Sequence, residues 1–227
     1  YYGKILKYDS NNPHWDERDR FILSKGHAAI SLYVILADLG YFDKEELNLF
    51  NNGGILGEHP DVNIPGIEIN SGSLGHGLGI GSGMALAAKM DTKKYKTYVL
   101  LGDGECYEGS IWEAAMFASH HNLENLIAII DRNRLCIHGE TEEINQLEPL
   151  NKKFEAFGWH VETINGHNTK EIISKLKFNK RNKPKLIIAN TIKGKGVSFM
   201  ENIEKWHHGS ITDQVYKKAK IELIKNQ

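Results

Sequence analysis

The chain has 227 residues, 41% hydrophobic and 25% charged, with a net charge of −1. That is ordinary globular composition, long enough to bury a large core within one domain, and its near-neutral balance offers nothing to nucleic acid or an anionic membrane. No apolar run approaches a spanning helix, and two cysteines without a Cys-x-x-Cys pair point to a reducing compartment, the cytoplasm.

Tyr1-Tyr2-Gly3-Lys4-Ile5-Leu6 reads as the end of a helix and not as a signal peptide. Phe21-Ile22-Leu23 is a short buried strand, and Ser24 is placed to cap a helix whose apolar stripe is Ile30, Tyr33, Val34, Leu36 and Ala37. Gly40 ends that helix. His27 then falls in its first turn, where the helix dipole favours an anion. Asp43 caps a second short helix, and Gly53 to Gly66 is loop. Gly72 to Gly83 is the most glycine-rich tract. It fails the dinucleotide pattern, because Ser82 stands where a third Gly is needed and no strand runs into it. A helix is expected over Met84–Met90.

The next stretch organises the rest. Tyr98-Val99-Leu100-Leu101 is an apolar run closed by Gly102-Asp103-Gly104, a buried strand entering a tight turn. Ile111, Ala114, Ala115 and Ala118 recur at helical spacing between Glu108 and His121. Leu126 to Ile130 is a second buried strand, running into Asp131-Arg132-Asn133. A strand–helix–strand unit of this kind is parallel, so the two carboxyl ends lie side by side. Beyond it, Leu150–Phe157 is an amphipathic helix, Gly158 to Ile164 alternates as a strand, and Thr169 caps a helix over Lys170–Phe178. The basic stretch from Lys170 to Lys185 reads as a solvated face. Leu186 to Asn190 is a further buried strand, Lys193 follows its end beside glycines, and Asp213–Lys225 is a Lys-rich helix.

Asp103 and Asn133, each leaving one of two neighbouring strand ends, suggest a divalent cation. Mg²⁺ takes oxygen ligands in an octahedron, few of them from protein, with phosphate oxygens helping to complete the shell. A carboxylate at an exposed strand end, an amide oxygen and a loop carbonyl after Asn133 would supply half of it. Gly102 and Gly104 let backbone N–H groups approach a phosphate. Alone, Gly-Asp-Gly is equally an ordinary turn. Mg²⁺ does not favour sulfur, so Cys106 and Cys136 read as structural, and the eleven histidines show no zinc spacing.

Gly102-Asp103-Gly104 followed about thirty residues later by Asn133 resembles the thiamine diphosphate signature. With Glu108-Gly109, Trp112-Glu113-Ala114, Asn125-Leu126-Ile127 and Asp131-Arg132-Asn133-Arg134-Leu135, the chain resembles transketolase from Tyr1 to about Gly209. The resemblance implies an α/β fold with a mainly parallel, helix-flanked sheet. It implies one diphosphate-binding domain over 1–227, a helical tail over 210–227 and a segment preceding Tyr1. Thiamine diphosphate with Mg²⁺, or Ca²⁺ or Mn²⁺ in its place, is the implied cofactor, with Asp103, Asn133 and the Leu135 carbonyl as metal ligands. The implied cofactor contacts are His27, Gly72, Ser73, Leu74, Gly102, Asp103, Gly104, Glu108, Asn133, Lys193 and His207. The implied catalytic residues are His27, His59 and His207. His59 lies in Gly57-Glu58-His59-Pro60, where Glu58 departs from the family's Gly-His-Pro; Ser73 and His76 replace a Pro and a Gln of its glycine tract. Trp206-His207 matches a family Trp-His and favours His207 over His208. Glu108 and Glu113 match positions whose carboxyls hydrogen-bond between two cofactor sites.

Cofactor activation in this family needs a Glu from a pyrimidine-binding domain, and no strand–helix pattern for one follows Lys195. The expectation is therefore the N-terminal subunit of a split transketolase, completed by a C-terminal subunit in a heterotetramer with two of each. The implied reaction moves a two-carbon ketol unit between a phosphorylated ketose and aldose, as in pentose phosphate metabolism. The alternatives are a transketolase specialised for an unusual sugar, an enzyme like 1-deoxyxylulose 5-phosphate synthase, and a non-catalytic regulatory subunit. The synthase lacks the Leu-Ser-Lys-Gly-His segment seen at Leu23–His27.

Overall fold

The computed structural model describes residues 1–177 and 182–225. A five-stranded parallel sheet lies at the centre. In chain order the elements are β1 (Arg20–Leu23), α1 (Ala29–Asp38), α2 (Gly77–Met90), β2 (Thr97–Gly102), α3 (Gly109–His120) and β3 (Leu126–Arg132). A small antiparallel hairpin follows, β4 (Leu135–Cys136) and β5 (Gly139–Glu140), then α4 (Thr141–Ile144) and α5 (Leu150–Ala156). The chain continues with β6 (His160–Asn165), α6 (Thr169–Lys177), β7 (Lys185–Asn190) and α7 (Asp213–Lys225). The strand order is β1-β2-β3-β7-β6.

Alternation along the strands sorts the core into two layers, because successive side chains point to opposite faces. Val99, Leu101, Ala128, Ile130, Leu186 and Ile188 pack with Leu78 and Ala85 of α2, with Ile111, Ala114, Ala115 and Ala118 of α3, and with Phe154 of α5. On the other face Leu23 and Leu100 meet Leu32 and Leu36 of α1. Ile129, Ile187 and Ala189 meet Ile172 and Leu176 of α6. Helices cover both faces, as the near-continuous apolar strands require. The expected neighbours are adjacent and parallel, with Gly102 opposite Asp131. Asp103 and Asn133 therefore emerge from the same edge of the sheet.

Several local expectations are corrected. The glycine tract is itself helical: α2 starts at Gly77, seven residues before the expected Met84. A Cβ on Gly81 would stand 2.5 Å from Val99 Cγ2, so the absence of side chains there brings the helix close to β2. Ser24 caps nothing; it is buried, and its hydroxyl donates to Glu105. His27 consequently sits in a 3₁₀ turn, Gly26–Ala28, ahead of α1, and not in the first turn of an α-helix. In α1 Ala29 and Leu32 take the buried places expected of Ile30 and Val34, which are exposed. Asn168, not Thr169, caps α6, accepting from the Glu171 N–H at 3.2 Å. Phe178, the expected end of that helix, lies outside the described residues. The basic stretch is not uniformly solvated either: Lys185 is 0% exposed and donates to Glu162 Oε1 at 3.0 Å. Gly40 at φ +82 and Asp43, which accepts from the Glu45 N–H, end and start helices where expected.

Candidate active site

A cavity of about 300 Å³ opens at the carboxyl ends of β1, β2 and β3. That is where ligands bind in open parallel α/β sheets. Among the expected site residues it brings together His27, Leu74, Gly102, Asp103, Gly104, Asn133, Leu135, Lys193 and His207. It does not include His59, Gly72, Ser73 or Glu108. His59 remains a neighbour through Gly72: a Cβ on Gly72, whose φ is +128, would meet the His59 ring at 2.8 Å. Ser73, Glu108 and Glu113 are exposed.

Asp103 is not at an exposed strand end as expected; it is 2% exposed. Its Oδ2 accepts from Arg132 Nη1 at 3.1 Å and from the Arg134 N–H at 2.6 Å, and its Oδ1 accepts from the Gly104 N–H at 2.8 Å. Arg134 reaches that position with φ +66, a left-handed conformation that costs a residue with a side chain about 1–2 kcal/mol. Arg132 is 1% exposed and also donates to Thr141, Glu142 and Glu148. It thus ties Asp103 to the loop beyond the β4–β5 hairpin. Asn133 Oδ1 accepts from the Leu135 N–H at 3.0 Å, which turns the start of β4 over the cavity.

The opposite wall is cationic. Lys25 Nζ donates to Asp131 Oδ2 at 2.6 Å, and Thr191 donates to the same carboxylate. Burial alone would raise the Asp131 carboxyl; Lys25, Thr191 and Asn133 together hold it below the ordinary range. Lys193 Nζ donates to His207 Nδ1 at 3.1 Å. The His207 ring lies 5.2 Å from that of His27, centroid to centroid. Trp206 Nε1 donates to the Phe199 carbonyl at 2.9 Å and anchors the turn that carries His207. His208 is exposed and lies outside the cavity lining.

This crowding depresses basicity. Desolvation first, then Lys25, His207, Lys193 and His59, push His27 down to about 4. The ring has open surface, but that surface faces the cleft. Burial and then Lys193 and Lys25 lower His207, and burial and then Lys25 lower Lys193. Both imidazoles are neutral at pH 7, and an anion between them would restore their proton affinity. A folded-state pKa below the unfolded value of 6.5 means the unfolded chain binds more protons below that pH. Stability should therefore fall as pH drops from about 6.5 towards 4. His27→Gln should flatten that part of the profile, and inorganic diphosphate should offset it. Thermal melts from pH 7.5 to 4.5 would show this; an unchanged slope in His27→Gln would contradict it.

The cavity fits a diphosphate with a hard cation. A Cβ on Gly102 would meet nothing nearer than 3.8 Å, so the space it would fill belongs to the cavity and its backbone can be approached. Asp103 carboxylate, Asn133 amide oxygen and Leu135 carbonyl are all oxygen donors, the set that suits Mg²⁺. Among the described residues no three His, Cys, Asp or Glu side chains gather as a metal cage. Cys106 is buried, and that burial pushes its thiol up.

Lys25, Glu105, Arg132 and Asp131 are the site's unforeseen members. Lys25 and Lys193 occupy similar places, just past a strand's carboxyl end beside a glycine, so that pattern could have identified Lys25. Glu105 and Arg132 carried no signal beyond a charge next to an apolar run.

Comparison with known proteins places this geometry. The family model described as "Transketolase, thiamine diphosphate binding domain" matches residues 1–226. One of the two subunits of the apulose-4-phosphate transketolase of Phocaeicola vulgatus is 49% identical over 98% of this chain and 80% of its own length. A 6-deoxy-6-sulfo-D-fructose transketolase subunit from a Clostridium species is also 49% identical, over 99% of this chain and 83% of its own. The transketolase of Campylobacter jejuni superposes with a TM-score of 0.92 at 36% identity, over 98% of this chain but 37% of that one. The chain thus spans little more than a third of that single-chain enzyme. Among the described residues no helix is long and apolar enough to cross a membrane.

Proposed function

Because the chain belongs to the transketolase family through its thiamine diphosphate-binding domain, we propose that it is the diphosphate-binding subunit of a two-component transketolase. The observation that carries this is the convergence of Asp103, Asn133, Leu135, Lys193, His27 and His207 on one cavity at the strand ends. Asp103, Asn133 and the Leu135 carbonyl hold Mg²⁺, with Gly102 and Gly104 beside the diphosphate. Lys193 balances phosphate charge. Bound thiamine diphosphate supplies the electron sink for breaking and making the carbon–carbon bond.

The chain's residues handle protons and orientation. His27 and His207, neutral at pH 7, can take a proton from a substrate hydroxyl and return it. His207 is poised by the Lys193 hydrogen bond, which leaves Nε2 as the free ring nitrogen. His59, packed on Gly72, presents its ring from the far side. A C-terminal subunit completes the site, in a heterotetramer with two of each; the two 49%-identical relatives are themselves named as subunits. Two unpaired cysteines suit a cytoplasmic setting.

The substrates are an anionic ketose donor and an aldose acceptor. Those two relatives are named for apulose 4-phosphate and 6-deoxy-6-sulfo-D-fructose, which favours a specialised sugar as the second reading. Aldose release from a panel of phosphorylated and sulfonated ketoses tests both; no transfer from any ketose by the assembled complex would refute the proposal. In the same assay His207→Ala should lower kcat/KM by roughly 10²–10⁴-fold, the contribution of a general acid–base residue. His208→Ala, outside the cavity, should stay close to the unaltered enzyme. A larger loss at His208 would reverse the assignment.

A further inference from the structure

Glu105 is 2% exposed and lies in the turn after Asp103, yet its carboxylate serves three separate segments. Oε1 accepts from the buried Ser24 hydroxyl, at the end of β1, and from the Gly75 N–H at 2.9 Å. Oε2 accepts from the Gly102 N–H at 3.1 Å, at the end of β2. Each segment carries part of the site: Ser24 precedes Lys25 and His27, Gly75 follows Gly72 and Leu74, and Gly102 precedes Asp103. No main-chain hydrogen bond of the sheet reaches the glycine loop, so its approach to the other two depends on contacts such as these.

We infer that Glu105 is a positioning residue: one buried carboxylate clamps the His27 turn, the glycine loop and the Asp103 turn in the mutual arrangement that receives the cofactor. This rests on the function proposed above. Both oxygens are used as acceptors, and a carboxylate offers acceptors only. A carboxamide of the same size must turn its NH₂ toward at least one N–H or O–H donor, which breaks the clamp without removing volume. Ser24→Ala removes one donor and leaves the carboxylate with the other two.

The test has two readouts on Glu105→Gln and Ser24→Ala. The first is hydrogen exchange of the ligand-free chain. Residues 24–28, 72–76 and 102–105 should all exchange faster in Glu105→Gln, and those of 24–28 and 72–76 in Ser24→Ala. The second is titration of the complex with its C-terminal partner by thiamine diphosphate and Mg²⁺, well below the melting temperature. The Kd should rise about 10–100-fold in Glu105→Gln, as for supporting residues around a metal site, and about 3–10-fold in Ser24→Ala. At saturating cofactor kcat should stay within about 3-fold, the KM-against-kcat split that separates positioning from chemistry. An equal Kd in both variants, faster exchange confined to one segment, or a collapse of kcat at unchanged Kd would overturn the clamp alone. No thiamine diphosphate binding by the unaltered complex would overturn the clamp together with the reading it rests on.

Discussion

Asp103→Asn should cost the assembled complex at least about 100-fold in thiamine diphosphate affinity at fixed Mg²⁺, while the chain stays folded. The choice of Asn follows from burial. Asp103 accepts from Arg132, Arg134 and Gly104, and Arg132 is itself 1% exposed. Asp103→Ala would remove one side of a buried ion pair, a change that typically costs about 3–5 kcal/mol. Glu142, Glu148 and Thr141 would still hold Arg132, but lost binding could then reflect a loosened fold. Asn keeps an oxygen for the Arg132 and Arg134 donors and removes only the negative charge that a divalent cation needs. Calorimetric titration at several Mg²⁺ concentrations, alongside melting curves, separates the two effects. Undiminished affinity, with the Mg²⁺ dependence of the unaltered complex, would sink the cation assignment.

Much of the sheet was legible because buried parallel strands have a plain signature. Leu126 to Ile130 and Leu186 to Asn190 are apolar throughout and closed by polar residues, and each became a strand. The Asp103–Asn133 pairing followed from topology, since a strand–helix–strand unit leaves both carboxyl ends at one edge. Local capping was harder to read. Ser24 has the residue type of an N-cap, but Glu105, eighty-one positions away, captures its hydroxyl. Lys185 looked like one more cation in a basic run until Glu162 of the neighbouring strand supplied its partner. Gly77 to Gly83 read as loop because glycine is a poor helix former; contact with Val99 overrides that propensity. In each case the deciding group is distant in sequence, so no local window contains it.

The chain without its partner should transfer no two-carbon units. The cavity offers groups for a diphosphate and its cation, but the cofactor's ring system has only Leu74, Ile137 and Ile144 as apolar neighbours, and the last two are largely exposed. The resemblance assigns cofactor activation to a Glu of the pyrimidine-binding domain, and the described residues beyond β7 hold only a 3₁₀ turn and α7. Glu108 and Glu113 stand exposed at the start of α3, where the resemblance has carboxyls meeting across two sites. Ile30, Val34, Ile80, Met116 and Phe117 are exposed on α1, α2 and α3, the apolar surface an obligate partner would cover. Such interfaces commonly bury more than about 2,000 Å². Two-carbon transfer from ketose to aldose should therefore be measured with the purified chain, with the purified C-terminal partner, and with both mixed, each shown free of host transketolase. Activity in the mixture alone, dependent on thiamine diphosphate and Mg²⁺, is the expected result; turnover by the chain on its own would contradict the two-component account.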